Sequence, residues 1–505
     1  MAGGMKPHLT IHGHFYQPPR EDPFTGLLPR EKGADPYRNF NEKITAECYG
    51  PNAEVGNFGR ISFDLGPTLA SWLERYAPDT YAEIIAQARA HFLKYGHPNA
   101  MAQVYSHAIM PLATDHERRI QIAWGIADFR HRFGHAPEGM WLAETAADSA
   151  SLGALLDHGI QYTILAPWQA TTSVDPSQPY WVRLADGRRI VAFFYNGDLS
   201  GRVSFDSTLT TNADVFGLQD LPRHINRDHV AAGDPQLVLI ATDGELYGHH
   251  LTYRDKFLAH LLEVSAVSRG FEVTSLGRYL AANPPTREVA LAEGTSWSCH
   301  HGVDRWRGDC DCIVEDGEWK WHLRQALTRL ATRIDTLFEP AARKLFRDPW
   351  AAEEAYIGVR LGAVTADAFW QQHARNPRLG QRRAMALLEG QYYRHIMFAS
   401  CAWFFEDLDR IEPRNAIRYG LRALREVERV HKLDLLTAYT ADLRGARSQE
   451  SGRSGADLLA EAVAHAPGGA YWVDPKRTTT GLPLVHRECE SVAEIRDRED
   501  AVVVA

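Results

Sequence analysis

Nowhere in the 505 residues does an apolar run reach the ~18 positions a bilayer-crossing helix needs, so no membrane span is expected. The opening stretch "MAGGMKPHLTIHGHF" lacks a charged segment followed by an apolar one, which argues against a secretory leader. Cysteine is scarce. The six (Cys48, Cys299, Cys310, Cys312, Cys401 and Cys489) are too few to form a disulfide framework in a chain this long. A cytoplasmic location follows as the expectation. Long basic blocks are missing too, and the formal net charge is -9, so neither nucleic acid nor an anionic membrane is an expected partner. No internal repeat is found.

What remains is ordinary globular composition, 45% hydrophobic and 24% charged, with length for two domains or one barrel plus an appended module. Seven short apolar or β-branched segments read as buried strands: 8–14, 103–107, 139–143, 161–165, 190–195, 236–241 and 271–275. Helical periodicity lies between several of them. In "HERRIQIAWGIADFRHRF", Ile120, Ala123, Trp124 and Ala127 fall at i, i+3, i+4 and i+7. Alternation of strands and helices predicts a parallel sheet, and the number of units favours a barrel. After Pro285 the pattern becomes helical, with Leu323, Leu327, Leu330, Ile334 and Leu337 on one face and Ile417, Leu421, Leu424 and Val427 on another. The expected division is a catalytic barrel over 1–290, a helical domain over 291–445 and a linker with a loosely ordered tail over 446–505.

Chemistry in parallel barrels sits where strands end. The first strand runs into "IHGHFYQPPR", with His12, His14 and Gln17; the second into "VYSHAIMP", with His107. The third runs into "GMWLAET", with Trp141 and Glu144, and the sixth into "ATDGELYGHH", with Asp243, Glu245, His249 and His250. Singly, each has a plain explanation: Glu144 could cap the next helix, Asp243 with Gly244 could be a turn, and Trp141 could be core. Their common position past a buried strand is what those explanations leave unaccounted for.

"HGHFYQPPR", "YSHAIMP", "GMWLAE" and "ATDGELYGHH" together resemble the first four motif regions of glycoside hydrolase family 57. "TSWSCHHGVDRWRGDCDC" and "ASCAWFFEDLDRIE" are similar to the subgroup carrying domain of unknown function 3536. The resemblance implies a distorted, TIM-like (β/α)7 barrel followed by a C-terminal helical domain. It also implies a retaining mechanism with Glu144 as nucleophile and Asp243 as acid/base. The family spans several activities and does not fix the substrate; an α-linked glucan or a related oligosaccharide or polysaccharide is the expectation. Two carboxyl groups ~5–5.5 Å apart suit direct attack. Substrate contacts are expected from His12, His14, Gln17, His107, Trp141, Glu245 and His249, with Trp141 stacking on the sugar. Trp297, His300, Trp306 or Asp309 of the entry loop is expected to complete the cleft, and Trp403 with Asp407 to supply a fifth region.

Two other classes compete. His12, His14, His107, Asp243 and His249 are zinc-ligand types, as in a deacetylase or mannosidase, but they sit in motifs resembling a metal-free family. No metal or cofactor is therefore expected. A non-catalytic sugar-binding barrel would need neither Glu144 nor Asp243. In the entry loop, Cys299, His300, Cys310 and Cys312 offer a further metal reading. They lack C-x2-C spacing, so a reduced, packed loop is the expectation.

Overall fold

The computed structural model describes residues 6–312 and 317–466. Two compact units divide the chain. The first gathers residues up to Gln17, Ala34–Tyr105 and Arg132–His300; the second gathers Pro18–Gly33, Ser106–His131 and residues from His301 onward.

The first unit contains all ten strands of the described residues: β1 (His8–Phe15), β2 (Ser62–Leu65), β3 (Ala100–Gln103), β4 (Met140–Trp141), β5 (Tyr162–Leu165), β6 (Tyr180–Arg183), β7 (Arg189–Phe194), β8 (Leu237–Asp243), β9 (Glu272–Val273) and β10 (Arg287–Ala290). One sheet runs β4-β3-β2-β1-β8 with every pair parallel. In the other, β5 lies parallel to β7. A parallel bridge between Gly139 and Tyr162 joins β4 to β5. A hydrogen bond from Asn196 N–H to the Leu239 carbonyl (2.8 Å) joins the end of β7 to β8. Strands β1, β2, β3, β4, β5, β7 and β8 thus follow one another around a distorted (β/α)7 barrel. Hairpin strand β6 runs antiparallel to β7 and carries β10 beside it, while β9 pairs with the start of β1.

Six of the predicted strands lie in this ring, some with shifted bounds; 271–275 contributes β9 instead. The ring strand absent from the sequence reading is β2, only four residues long and carrying Ser62 and Asp64 between its apolar positions. Strand β3 occupies Ala100–Gln103 and shares only Gln103 with the predicted 103–107; beyond it the chain turns away, and His107 adopts φ 57°. Likewise β4 stops at Trp141, since Glu144 and Thr145 take φ of 58° and 51°.

Helices α1 (Pro67–Tyr76) and α2 (Pro78–Tyr95) link β2 to β3, each opened by a proline in the first turn, where its missing N–H costs nothing. Helix α3 (Asp115–Phe133) precedes β4. Helix α4 (Ser149–Asp157) follows β4, capped by the Asp148 side chain on Ser151 N–H at 2.7 Å. The capping role open to Glu144 therefore belongs to Asp148.

In the second unit, α5 (Glu318–Leu345), α6 (Gln381–Ile396), α7 (Ile411–His431), α8 (Leu436–Leu443) and α9 (Gly455–His465) pack around buried apolar stripes. Leu323, Leu327, Leu330 and Ile334 are fully buried, as are Ile417, Leu421 and Leu424. No described helix is long and apolar enough to cross a membrane.

Gly244 shows how tightly the barrel end is built. A Cβ there would lie 2.5 Å from the Phe15 ring, which is itself fully buried and packed on Tyr49, Phe58 and Phe63. The ring has nowhere to move. Gly244→Ala should therefore destabilise the chain by about 1–3 kcal/mol in urea denaturation; unchanged stability would show that the ring yields.

Candidate active site

Register places the first group of side chains. On the adjacent parallel strands β2, β1 and β8, Asp64 pairs with His14 and His14 with Asp243, so the three residues form one row across the sheet. Two residues earlier, on the same face, Ser62 pairs with His12. His14 Nδ1 lies 2.8 Å from Asp64 Oδ2, and His12 Nε2 lies 3.1 Å from Asp64 Oδ1. His12 Nδ1 meets Ser62 Oγ at 3.0 Å. Both imidazoles stack on Trp141, at ring distances of 4.8 Å (His12) and 5.1 Å (His14). Trp141 is fully buried, so the sugar-stacking surface expected of it is taken up by histidine.

The second group surrounds Glu144. Its left-handed backbone, followed by a second left-handed residue with a β-branched side chain, costs about 1–3 kcal/mol per residue and persists only where neighbours enforce it. Gln169 does much of this: Thr145 Oγ1–H donates to its Oε1 (2.8 Å), and its Nε2 donates to the Thr145 carbonyl (2.9 Å). Trp297 N–H holds the Glu144 carbonyl at 3.0 Å. The carboxylate is gripped from the same segment. Trp297 Nε1–H donates to Glu144 Oε2 at 3.0 Å and Ser298 Oγ–H at 2.6 Å. Among the described residues no hydrogen bond engages Glu144 Oε1. Trp297 also meets Trp141 and Tyr195 edge to face, at 5.0 and 6.4 Å.

Residues 12–291 match the sequence model of Glycosyl hydrolase family 57, more than half of the chain. The chain belongs to that family. It is therefore a glycoside hydrolase or transglycosylase. Residues 316–467 match a second model, a domain of unknown function (DUF3536). Among solved structures, an exo-type maltose-forming amylase from Pyrococcus sp. ST04 is similar at a TM-score of 0.66 and 15% identity, over 99% of this chain and 94% of that one. A branching enzyme from Thermococcus kodakaraensis, solved with glucose, gives 0.57 and 17% over 91% and 94% of the two chains. A 4-alpha-glucanotransferase from Thermococcus litoralis gives 0.56 and 16% over 85% and 60%. These likenesses concern the fold. No curated protein sequence matches.

Other predicted contacts of this family 57 chain are distributed as follows. Asp243 is exposed at the end of β8. Glu245 is buried, accepting from Tyr49 O–H at 2.6 Å and Tyr16 N–H at 3.3 Å; Gln17 Nε2 reaches the same Tyr49 oxygen at 3.3 Å. His249 Nδ1 pairs with Glu47 Oε2 at 2.5 Å, and His300 is exposed. His107, Trp306 and Trp403 belong to the second unit. His107 is buried with Nδ1 on Ser400 Oγ at 2.7 Å, and Trp403 is sealed beneath Arg324 with its indole N–H on the Lys320 carbonyl (3.1 Å). Trp306 is fully buried as well. Neither tryptophan has a face free for a sugar. Asp407 is equally committed, accepting from Ser448 Oγ–H at 2.8 Å and Gln449 N–H at 2.9 Å. Sequence reading missed Asp64, Tyr49, Gln169, Ser298 and Trp168. The last follows β5, is 45% exposed, and stands edge-on to Tyr195 at 6.0 Å with its indole N–H on the Ser296 carbonyl at 2.9 Å.

The charges form a coupled set. Burial alone would lower the pKa of His14, but Asp64, Asp243 and Glu245 together raise it to about 9, so it is a cation at neutral pH. Burial lowers that of His12, which outweighs the opposing pull of Asp64. Asp64 is held below its ordinary value: burial opposes ionisation, and the two imidazoles overcome it. Burial raises Glu144, assisted by Asp243 and resisted by Ser298, Trp297 and His14. Glu245 is pushed up to about 7 by burial and by Asp243, against the Tyr49 hydrogen bond and His14.

Asp64→Asn tests this arrangement. His14 should titrate well below about 9 in the variant, followed by NMR of the imidazole nitrogens. Removing one member of a buried pair should cost about 3–5 kcal/mol near neutral pH. The sign follows from linkage. The His14 contribution is complete below its ordinary 6.5 and is lost as pH rises through about 9. The Asp64 contribution is complete above its ordinary 3.8 and is lost as pH falls through the depressed folded value. The stability gap between wild type and variant should therefore close at both extremes. An unchanged His14 titration would remove Asp64 from this role.

Proposed function

We propose that the chain is a retaining glycosidase or transglycosylase on α-linked glucan, with Glu144 as nucleophile and Asp243 as acid/base. The observation that carries the reading is the treatment of Glu144: a carboxylate on a strained turn, one oxygen held by two donors and the other unengaged by them. A nucleophile needs that asymmetry, because one oxygen must be aimed while the other is stabilised. The Ser298 and Trp297 donors and the His14 cation favour the ionised form against burial.

The chemistry divides into two displacements. Glu144 attacks the anomeric carbon as the glycosidic C–O bond breaks, and the Asp243 carboxyl gives its proton to the departing oxygen. Water or an acceptor sugar hydroxyl then loses its proton to the Asp243 carboxylate and attacks the anomeric carbon, releasing Glu144. His14 and Glu245 bias the charge of this region, and His12 holds Asp64 in place. The exposed ring of Trp168 offers a sugar platform that buried Trp141 does not. The amylase, branching enzyme and glucanotransferase among the similar structures support an α-glucan substrate.

A metal hydrolase is the second reading, and the donor geometry disfavours it. Two groups of three or more metal-suited donors converge among the described residues, and neither includes His12, His14, His107, Asp243 or His249.

Mutation separates the roles. Glu144→Ala should reduce turnover by several orders of magnitude, since no glycosyl-enzyme can form. Asp243→Ala should partly spare substrates with acidic phenol leaving groups, which need little protonation. Azide should rescue Asp243→Ala with retention and Glu144→Ala with inversion. Loss of wild-type activity on chelation with the circular dichroism spectrum unchanged, and azide rescuing neither variant, would replace this reading by the metal hydrolase.

A further inference from the structure

The loop ahead of α5 contains a group of side chains that the glycosidase chemistry does not use. His301 Nδ1 lies 3.3 Å from Cys310 Sγ and 3.3 Å from Cys312 Sγ. The three donor atoms all lie within 4.8 Å of one another. A single imidazole nitrogen makes one hydrogen bond, as acceptor from one thiol or as donor to one sulfur. Two sulfurs at equal distance from it are therefore poorly explained by S–H···N bonding. They are explained by a common centre. A tetrahedral zinc with bonds of about 2.3 Å to sulfur and about 2.0–2.1 Å to nitrogen has sulfur–nitrogen edges of about 3.5 Å, close to the spacing seen.

The surroundings suit bound thiolates. Asp309 fixes the approach to Cys310, accepting from Cys310 N–H at 3.0 Å and Gly317 N–H at 3.1 Å. Lys320 is buried, its ammonium has no hydrogen-bond acceptor among the described residues, and Cys310 is among the groups acting on it electrostatically. A thiolate there would add to Asp309 and Glu406 as negative charge facing the buried ammonium. Among its described residues the loop has little regular structure, one helical turn at Asp304–Arg307, so a cross-link between His301 and the two cysteines would add a tie that hydrogen-bonded structure does not supply.

We propose that His301, Cys310 and Cys312 bind a structural zinc ion, the two thiols releasing their protons on coordination. The histidine is His301, not the neighbouring His300 named from the sequence. For the fourth position the sequence supplies Cys299, two residues before His301. The site is structural, in keeping with soft donors enclosing the ion, and rests on no assumption about the glucan chemistry.

The full chain, purified in reductant without chelator and dialysed against zinc, should retain about one zinc per chain by elemental mass spectrometry. His301→Ala and the double variant Cys310→Ser with Cys312→Ser should each lower occupancy by about tenfold or more. Cobalt in place of zinc should give thiolate-to-metal charge-transfer absorption in wild type only. Because a variant can fail to fold, alkylation is read on the wild-type chain as well: zinc should protect Cys310 and Cys312 from iodoacetamide, located by peptide mass spectrometry. The same experiment with Cys299→Ser decides the fourth donor. Zinc retention undiminished in the double variant, absence of the cobalt–thiolate band, or equal alkylation with and without zinc would each overturn the proposal.

Discussion

Asp64 has no exposed surface, yet it is ionised at the heart of the barrel because two imidazoles meet its two oxygens. A carboxylate in that position, unpaired, would be several kcal/mol out of balance. Its pairing sets the orientation of both rings, which in turn stack on Trp141. It also makes His14 a cation, and that cation stands in register between Asp64 and Asp243. The row therefore sets a cation between the buried Asp64 carboxylate and the Asp243 carboxyl, across three neighbouring strands. Every carboxylate added nearby, Glu144 and Glu245 included, feels the positive centre of that row.

Against this electrostatic frame stands a conformational one. The turn at Glu144 and Thr145 departs from the backbone that its residues prefer, and Gln169, Trp297 and Ser298 hold it there. Strain of this kind is found where a side chain must be presented in one orientation. The second group thus aims a carboxylate, and the first sets the field in which it ionises. Trp297 links them, touching His14 and Trp141 with its ring and Glu144 with its indole nitrogen.

Much of this was legible in the sequence, and the failures have physical causes. Strands such as 8–14 and 236–241 announced themselves because burial on both faces demands unbroken apolar runs. Their polar ends drew attention to His14, Glu144 and Asp243 as candidates. Asp64 stayed hidden because β2 is four residues long and mixes polar with apolar positions, although the alternation in "ISFDLGP" with its Gly-Pro stop was a signal to be read. Trp306 and Trp403 misled because aromatic density marks packing as readily as binding. Trp168, by contrast, was a single ring in an unremarked loop, and only its exposure sets it apart. Backbone strain at Glu144 has no signature in residue type: nothing in "LAETAA" requires a left-handed turn.

The most direct measurement of the central claim is to trap the covalent intermediate. A 5-fluoro glycosyl fluoride of α-glucose forms its glycosyl-enzyme faster than it hydrolyses, and peptide mass spectrometry then locates the ester. The account predicts one sugar per chain, attached to Glu144 in the peptide containing Trp141, with retention of configuration on release. A label on Asp243 or Glu245, or turnover with inversion and no trapped sugar, would contradict it.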